Sequence, residues 1–585
     1  EELLAGIWSE LLGHDRIGVT DDFFELGGHS LIAMRLVTRL RDSFDVDLPL
    51  SALFEAPTIA GLAERIDQLR GGDRLPPITS APDAQTSPLS FAQRRLWFLE
   101  QLEGPSATYN MPATLELRGV LDEKALARAA RALVERQTSL RSCFPSRAGE
   151  PVAELVAPYD PLKVTDLSIL PADARMPEAE RLSRSHGAQP FDLSEGPLFR
   201  LHLLRFDDRT HWLLFNIHHI ISDGWTIDIL VRDFAALYRA ETRGDQGMAA
   251  SLPDLTITSG DFARWQNDWF QGETLSRELD HWIAELDGAP TLLELPADRP
   301  HPKTRSYRGG LVTRALDPAL AAKLRAFNRA ESATDFMTLI SAFGLLLSRY
   351  SDQHDLLIGS PVANRRLQEC EDLAGMFVNI LTLRWRDEDL PDFSALVAET
   401  RRRCLRAYAN QDLPFELLVD HLHPERSLVH SPLFQVMFVM QNAPMERLIF
   451  DGTEARPLAP PVTVSKFDLT LYVEPDGDGF VTRWEYNADI FDEARIARMA
   501  GHFEQLLGAA ISRPHLALGD LGLITGPERT ALAHWQDGAS TDLSWDTLVD
   551  AIEVQAAQRP DAPALVDRRE SLDFDMVNRS ANQLA

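Results

Sequence analysis

Two adjacent histidines followed by an aspartate and a glycine form the pattern in this sequence best suited to acid–base chemistry. His218 and His219 stand at the end of a nearly continuous apolar run over residues 212–221, and Asp223 and Gly224 follow. Such a run predicts a central buried strand, on which neighbouring side chains point to opposite faces, so only one imidazole can face a given cavity. The same residues fit a purely structural buried pair. A metal site here is disfavoured, because the imidazoles diverge and no further ligands are spaced with them.

A serine that follows two glycines is the second pattern with chemical potential. Ser30 comes after Gly27-Gly28-His29 and opens a run with apolar residues at helical spacing. A hydroxyl at a helix start lies beside free backbone N–H groups and the positive end of the helix dipole, which favours an anion. The structural interpretation is that the serine only caps the helix. A hydrolase nucleophile elbow is disfavoured, because Ile32 stands where a second glycine is needed and no strand precedes.

The elements that must position these residues fall into several units. Residues 1–70 show helical periodicity, and the segment 71–87 is rich in Gly, Pro, Ser and Thr, which is typical of a tether. From about 88 to 520 helices and strands alternate over more than 400 residues, which exceeds one ordinary core and predicts two lobes. The predicted boundaries are 1–70, a linker over 71–87, lobes over 88–255 and 256–520, a linker over 521–544, and the beginning of another unit over 545–585.

Composition excludes several functional classes. The 58 Lys and Arg residues against 88 Asp and Glu give a net charge of −30, which argues against nucleic-acid binding. The best apolar stretch, 336–347, is interrupted and shorter than the roughly 20 residues that span a membrane. The N-terminus shows no signal-like segment. Three widely spaced cysteines, Cys143, Cys370 and Cys404, favour a reducing, cytoplasmic location over disulfides or zinc, and no metal site is predicted.

The full string around Ser30 carries a specific resemblance. Asp-Asp-Phe-Phe-Glu-Leu-Gly-Gly-His-Ser-Leu over residues 21–31 closely resembles the modification site of peptidyl carrier domains of nonribosomal peptide synthetases. The resemblance covers residues 1 to about 70 and implies an all-α four-helix carrier domain. It further implies that Ser30 carries a 4′-phosphopantetheine arm, attached by a separate phosphopantetheinyl transferase. The thiol of that arm would hold an aminoacyl or peptidyl thioester.

The string His-His-Ile-Ile-Ser-Asp-Gly resembles the signature of condensation domains, which belong to the chloramphenicol-acetyltransferase-like superfamily. Other segments resemble that family in the same order, over residues 90–99, 139–144, 358–365, 377–379, 411–416 and 432–438. The resemblance covers about 88–520 and implies a two-lobed α/β (α+β) fold. The sequence departs from the family at Asn410, where a histidine is usual, and at residues 136–138, which read Arg-Gln-Thr for Arg-His-Glu. The second departure could bear on the donor subtype.

Residues 559–566 and 578–585 resemble the opening of an adenylation domain. The order of units therefore resembles the junction between two synthetase modules. It implies that the carrier is the donor, loaded by an upstream adenylation domain, and that a downstream carrier brings the acceptor. The implied reaction is peptide-bond formation, in which the acceptor amine attacks the thioester on Ser30.

The resemblance also implies roles for individual residues. The two carrier arms would meet at His219 in a tunnel between the lobes. His219 would orient the acceptor amine and take its proton, while His218 would point away from this tunnel. Asp223 would pair with Arg365 in a structural role, or less favourably act as a second base. The Gly224 N–H could face the oxyanion. Outside the signature, Asn442 could donate a hydrogen bond near the site.

Rival functions share this scaffold. An epimerisation domain has the same signature, but an adenylation start does not normally follow it. A heterocyclising domain would have an Asp-rich motif, and a catalytically inactive, partner-recruiting domain would typically lack the histidine that His219 provides. An ester-forming variant remains open. Residues 220–222 resemble domains that take an L-configured or achiral donor.

Overall fold

The computed structural model describes residues 1–28, 30–44, 46, 48, 50–68, 75–81, 84–243, 252–303, 306–422, 430–441, 450, 452–458, 464–537, 546–567 and 570–584. These residues form two compact units, Glu1–Leu523 and Ile524–Ala585. The first unit contains a helical N-terminal region and two mixed sheets covered by helices.

The N-terminal region is helical, as the periodicity predicts. Its described helices are Glu2–Leu12, Ser30–Phe44, Leu50–Glu55 and Ile59–Gln68. Their apolar faces meet around Trp8 and Phe23, which are fully buried and pack edge to face with ring centroids 5.0 Å apart. A Cβ at Gly28 would lie 2.4 Å from the Phe23 ring. The chain therefore needs glycine at this position to bring the start of the second helix against the core.

The first sheet has five strands, in the order Thr453–Pro457, Asn110–Gly119, Thr210–His218, Phe199–Arg205 and Leu162–Asp166. The last two strands are parallel and the other neighbours antiparallel. Two helices pack over one face, Glu123–Arg136 and Gly224–Arg243, and Leu133 and Phe234 belong to their shared core. The Asp122 carboxylate accepts the N–H groups of Lys124 and Ala125 and caps the start of the first of these helices.

One strand of this sheet comes from far along the chain. Thr453–Pro457 pairs antiparallel with Asn110–Gly119, so the sheet includes residues beyond the range 88–255 that the sequence assigned to the first lobe. The two strands approach closely at Gly119, where an added Cβ would lie 2.1 Å from the Gly452 carbonyl oxygen. Gly119 also has a φ of +141°, which L side chains rarely adopt. Glycine thus permits the junction.

The second sheet has six strands, in the order Gly309–Leu316, Gly479–Asn487, Leu469–Asp476, Val436–Met440, Asp355–Val362 and Asn379–Arg386. Val436–Met440 runs parallel to both of its neighbours, and the other pairs are antiparallel. Its core includes four rings, Phe438, Phe343, Trp484 and Phe503, each of which packs against the next at a centroid distance of 5.6 to 6.0 Å.

The first unit contains further helices besides those described so far. Their bounds are Phe91–Glu103, Ala172–Ala188, Ser259–Trp269, Gly272–Leu286, Pro318–Glu331, Asp335–Ser351, Phe393–Ala409, Phe415–Leu422 and Glu493–Ser512. Within the described residues, no single helix has both the length and the apolarity to cross a membrane. Pro318–Glu331 and Asp335–Ser351 meet that test only as a pair, bent by 105°.

The described part of the segment predicted as a tether is attached to the larger region. The Trp265 indole donates to the carbonyl of Pro76, and the Asp261 carboxylate accepts the N–H of Ala81. Thr86–Ser87 then pairs with the strand Ala153–Leu155.

The second unit contains the helices Gly526–Asp537, Leu548–Gln558 and Phe574–Leu584, and a two-stranded sheet of Pro563–Val566 and Ser571–Asp573. Several large apolar side chains in this unit are exposed, among them Trp535, Leu548 and Val566.

Candidate functional site

His219 lies just past the end of the central strand. The strand ends at His218, and His219 begins a short 3₁₀ turn, His219–Ile221. The expectation that both histidines lie on the strand is therefore wrong. The His219 N–H donates to the Tyr109 carbonyl at 2.9 Å, and the Ser222 N–H donates to the His219 carbonyl at 3.2 Å, which closes the turn. The two imidazoles are separated by a change of backbone direction, not by strand alternation.

Hydrogen bonding determines the tautomer of His219. Its Nδ1 lies 2.7 Å from the Ser222 carbonyl oxygen. Because a carbonyl oxygen can only accept, Nδ1 carries the proton, and the lone pair of the neutral ring is on Nε2. Burial lowers the pKa of His219 to about 4, and the positive charge of Lys466 adds to this, while the Ser222 carbonyl and Asp223 oppose it. The ring is therefore neutral at pH 7 and has an Nε2 that can accept a proton.

His218 has a different environment. Its Nδ1 accepts the Ile220 N–H at 3.1 Å, so Nε2 is protonated in the neutral ring and lies 3.9 Å from a Glu100 carboxylate oxygen. Burial, with smaller effects of His219 and Lys466, lowers the pKa of His218 to about 3. Burial raises the pKa of Glu100 to about 7, opposed by a backbone hydrogen bond from Leu193. His218 thus stabilises the turn His219–Ile221 by accepting the Ile220 N–H.

Asp223 is fully engaged in hydrogen bonds. One carboxylate oxygen accepts the Thr226 N–H at 2.8 Å, which satisfies a free donor at the start of the helix Gly224–Arg243. The other accepts the N–H groups of Phe377 at 3.0 Å and Val378 at 3.2 Å. The carboxylate therefore ties this helix to a loop that precedes a strand of the second sheet.

Arg365 completes this buried arrangement. Its guanidinium lies 3.4 Å from Asp223 and donates to the Thr226 hydroxyl at 3.2 Å. It also donates to the carbonyl groups of Cys370 and Leu373 and stacks over the Phe377 ring at 4.2 Å. The structure thus brings together the two residues that the resemblance paired, and both side chains are 2% exposed.

Open space lies beside Gly224. This residue is exposed, and a Cβ added to it would meet no atom of the described residues within 4 Å. A reacting group could therefore approach the first turn of the helix without displacing any of these residues. Asn442, also predicted near the site, lies outside the described residues.

Lys466, whose charge acts on His219, and Glu485, which interacts with Lys466, were missed by the sequence analysis. Lys466 Nζ lies 5.0 Å from the centre of the Tyr109 ring, and the Tyr109 carbonyl accepts the His219 N–H. Burial lowers the pKa of Lys466 to about 8, and burial raises that of Glu485 to about 7, each effect being opposed by the attraction between them. Glu485 is half-buried in the strand Gly479–Asn487, and the sequence of this strand does not indicate which of its polar residues has a charged partner.

The backbone around Ser30 suits attachment of a phosphate-linked group. Ser30 is the first residue of a 15-residue helix, and no acidic residue stands in its first turn. Gly27 has a φ of +95° and sets the turn before the helix. Free N–H groups at a helix start and the helix dipole stabilise an anion. A primary hydroxyl there can form the phosphodiester of a 4′-phosphopantetheine group. His29 and the Ser30 side chain lie outside the described structure.

The helix that begins at Ser30 contacts the larger region close to the histidine motif. The Arg35 guanidinium lies 4.7 Å from the centre of the Trp225 ring. Trp225 directly follows Gly224 in the chain. Further along, Arg41 donates to the Arg366 carbonyl at 3.0 Å, and Arg39 lies 3.7 Å from Glu371. A cavity of about 140 Å³ lies between the two regions. The helical region is therefore held beside both segments, the one that carries Asp223 and the one that carries Arg365.

Comparisons with known proteins identify both regions. The model of the condensation domain family matches residues 83–533, and that of the phosphopantetheine attachment site matches residues 2–66. The chain belongs to the condensation domain family, and its helical N-terminal region is a phosphopantetheine attachment domain, here called the carrier.

The chain resembles parts of much longer relatives. It is 41% identical to a linear gramicidin synthase chain of Brevibacillus parabrevis over its full length, which is 8% of that relative. It is 36% identical to tyrocidine synthase 3 of the same organism and 34% identical to bacitracin synthase 3 of Bacillus licheniformis. Each of these two matches covers all of this chain and 9% of the relative.

Solved structures show the same fold. The X-domain from teicoplanin biosynthesis is 26% identical, with a TM-score of 0.69, and the match covers 77% of this chain and all of that one. A four-domain nonribosomal peptide synthetase bound to AMP and glycine has a TM-score of 0.69 at 19% identity, covering 87% of this chain and 39% of that one. The second likeness concerns the fold alone.

Proposed function

We propose that this chain forms a peptide bond in nonribosomal peptide synthesis, joining a donor thioester on the phosphopantetheine of Ser30 to an acceptor amine on a downstream carrier. The observation that carries the proposal is the neutral His219, whose Nε2 bears the lone pair. The open space at Gly224 lies five residues further along the same motif. The carrier helix beside Trp225 supports delivery of the donor to this place.

The phosphopantetheine arm, when attached, supplies the thioester. The acceptor nitrogen bonds to the thioester carbon, the carbon–sulfur bond breaks, and one proton must move from nitrogen to the departing sulfur. His219 Nε2 accepts that proton as the new bond forms and returns it to the thiolate. The Gly224 N–H donates to the carbonyl oxygen while negative charge develops there. Asp223 has its acceptor positions occupied and holds the turn.

Magnitudes show where the rate enhancement arises. A free α-amine has a pKa near 8, so about a tenth is neutral at pH 7 and prior deprotonation gains only about 1.4 kcal/mol. Tethering and orienting both substrates supplies up to about 7–11 kcal/mol. Proton transfer to His219 adds roughly 10²–10⁴-fold. Positioning by the two carriers therefore contributes most, and His219 acts on the bond-forming step.

The finer assignments rest on the same resemblance. We infer a two-lobed, chloramphenicol-acetyltransferase-like fold for the condensation region, with the two sheets belonging to separate lobes. Residues 545–585 are inferred to begin an adenylation domain. An upstream adenylation domain and a phosphopantetheinyl transferase are the inferred partners that load Ser30, in the cytoplasm.

A partner-recruiting domain is the second candidate. One similar structure, at 25% identity and a TM-score of 0.69, is a complex of the X-domain with OxyB from teicoplanin biosynthesis. A domain of this fold can therefore bind another protein. The presence of His219 in a neutral, proton-accepting state favours catalysis for this chain. Epimerisation of the carrier-bound residue is the remaining alternative.

The test is a transfer assay with the whole chain. Ser30 is loaded with an aminoacyl-pantetheine by a promiscuous transferase, a separately charged acceptor carrier is added, and the mass on each carrier is measured. We expect a dipeptide on the acceptor and a roughly 10²–10⁴-fold slower transfer in His219→Ala. The control is His515→Ala, because the His515 side chain is 75% exposed and lies beside Asp392.

Each alternative gives a different result in this assay. Equal rates for wild type and His219→Ala would refute the role of His219. Inversion of the loaded residue without transfer would indicate epimerisation. Loading at Ser30 with neither product, for several aminoacyl pairs, would refute the proposed reaction and favour recruitment.

A further inference from the structure

Three potential metal ligands meet at one edge of the second sheet, away from the histidine motif in sequence. His301 precedes the strand Gly309–Leu316, His430 precedes Val436–Met440, and Asp468 directly precedes Leu469–Asp476. These three strands run in the same direction, because each is parallel to another or separated from it by one antiparallel strand. Their starting ends therefore share one edge, which brings residues from distant parts of the chain together.

The side chains converge. One ligand atom from each of His301, His430 and Asp468 lies within 4.8 Å of the other two. His301 Nε2 is 3.2 Å from a carboxylate oxygen of Asp468, and the two imidazole ring centroids are 4.5 Å apart. Donor atoms around a tetrahedral Zn²⁺ ion at about 2.0–2.1 Å are about 3.4 Å from each other. The His301–Asp468 pair already has about that spacing, and every other separation is within 4.8 Å, so it needs to shorten by at most about 1.4 Å.

Hydrogen bonds hold the backbone of Asp468 directly and anchor the chain two residues before His301. The Asp468 N–H donates to the Gln435 carbonyl at 2.9 Å, and its own carbonyl accepts the Asn487 N–H at 3.0 Å. Two residues before His301, the Arg299 N–H donates to the Ile490 carbonyl, and its guanidinium donates to the carbonyl groups of residues 488, 489 and 491. Ligands held in this way lose little conformational entropy on binding.

We propose that His301, His430 and Asp468 form a binding site for one first-row divalent metal ion. Two imidazoles and one carboxylate are borderline donors that suit Zn²⁺ and its neighbours in the series, with water in the remaining positions. The Asp468 side chain is 10% exposed, so it supplies a largely desolvated negative charge, and the 27% exposed His301 leaves a path for the ion.

Other histidine–carboxylate pairs lack this arrangement. His354 lies 2.8 Å from Asp387 and His515 lies 3.2 Å from Asp392, yet in the described part of the chain neither pair forms part of such a group of three. The proposed site therefore differs from an ordinary ion pair by its second imidazole. A bound ion would link the segment just after Lys466 to two other parts of the chain, those that contain His301 and His430. This role is structural and does not depend on the condensation reaction.

The test uses the whole chain, stripped with a chelator and dialysed, with Zn²⁺ as the probe. We expect one equivalent to bind in competition with a chromophoric chelator, and the melting temperature of the first unit to rise. His301→Ala and Asp468→Asn should each weaken binding at least tenfold, whereas His354→Ala, the control for an exposed histidine beside an aspartate, should bind as wild type does. Binding of Co²⁺ should give visible absorption bands only when all three ligands are present.

The results separate the proposal from its alternatives. Circular dichroism first establishes that each variant is folded, and His301→Ala serves as the principal variant because its side chain is partly exposed. Failure of wild type to bind one equivalent of Zn²⁺ would overturn the proposal. So would binding that is equally tight in wild type, His301→Ala and Asp468→Asn, because the ion would then lie elsewhere. Condensation activity does not enter either criterion.

Discussion

Replacement of Asp223 by asparagine tests whether this carboxylate is structural or chemical. Its oxygens accept three backbone N–H groups, from Thr226, Phe377 and Val378, and face the Arg365 guanidinium. Asparagine has nearly the same shape but replaces one accepting oxygen by an NH₂ donor. Whichever way the amide is oriented, at least one buried N–H group loses its acceptor.

The expected cost follows from these contacts. A buried donor left without a partner costs about 1–3 kcal/mol. Breaking a buried ion pair by removing one charge costs about 3–5 kcal/mol. The lower end applies, because Arg365 retains the carbonyl groups of Cys370 and Leu373 as acceptors. We therefore expect Asp223→Asn to lose about 3 kcal/mol. At about 2.1 cal/mol/K of unfolding entropy per residue, this lowers the melting temperature of a region of about 450 residues by roughly 3 °C.

The assay combines thermal unfolding with single-turnover transfer well below the melting temperature. The control is Asp122→Asn, at another helix start, where asparagine caps as well as aspartate does. We expect the control to change stability by less than about 0.5 kcal/mol. We also expect transfer per folded Asp223→Asn molecule to fall less than tenfold. An unchanged melting temperature with a thousandfold slower transfer would refute this reasoning and make Asp223 a participant in proton transfer.

Three further predictions concern the proton acceptor, the carrier contact and the carrier fold. The pKa of His219 is lowered to about 4, so between pH 5 and 7 only the acceptor amine changes its protonation state. The logarithm of the transfer rate should therefore rise with pH at a slope of 1. A slope approaching 2 would indicate that His219 has an ordinary histidine pKa. Arg35→Ala removes a cation–π contact worth about 0.5–2 kcal/mol and should slow transfer two- to thirtyfold while Ser30 still loads normally; the exposed Arg16→Ala is its control, and equal rates would show that this contact does not serve transfer. Gly28→Ala should abolish loading, since its Cβ would lie 2.4 Å from the Phe23 ring. The control is Gly6→Ala, at an exposed helix position, which should stabilise the carrier by about 0.5–1 kcal/mol. Normal loading of Gly28→Ala would contradict the packing argument.

Sequence reasoning succeeded where the signal is local. The apolar run over residues 212–221 predicted the central strand, and the periodicity of residues 1–70 predicted the helices of the N-terminal region. It failed where a position depends on a distant partner. His219 leaves the strand because its N–H finds the Tyr109 carbonyl, and nothing in residues 212–221 encodes that contact. Likewise Thr453–Pro457 joins the first sheet across more than 300 residues, and only the close approach at Gly119 and Gly452 marks the junction.

The same distinction explains what the histidine motif can and cannot specify by itself. The motif supplies the imidazole and the aspartate, but the loop before Asn379–Arg386 supplies the N–H groups that occupy Asp223. From the other side of that loop, the Gln137 side-chain oxygen accepts the Ala374 N–H at 3.0 Å, and Arg232 pairs with Asp372. Side chains from other parts of the chain therefore hold the short loop before Asn379–Arg386. Through Asp223, that loop in turn holds the segment directly after the His219 turn. A change in this loop should shift the position of His219 although the loop does not contact its imidazole. Variants at Gln137 or Asp372 should therefore slow transfer while Ser30 still loads at the normal rate.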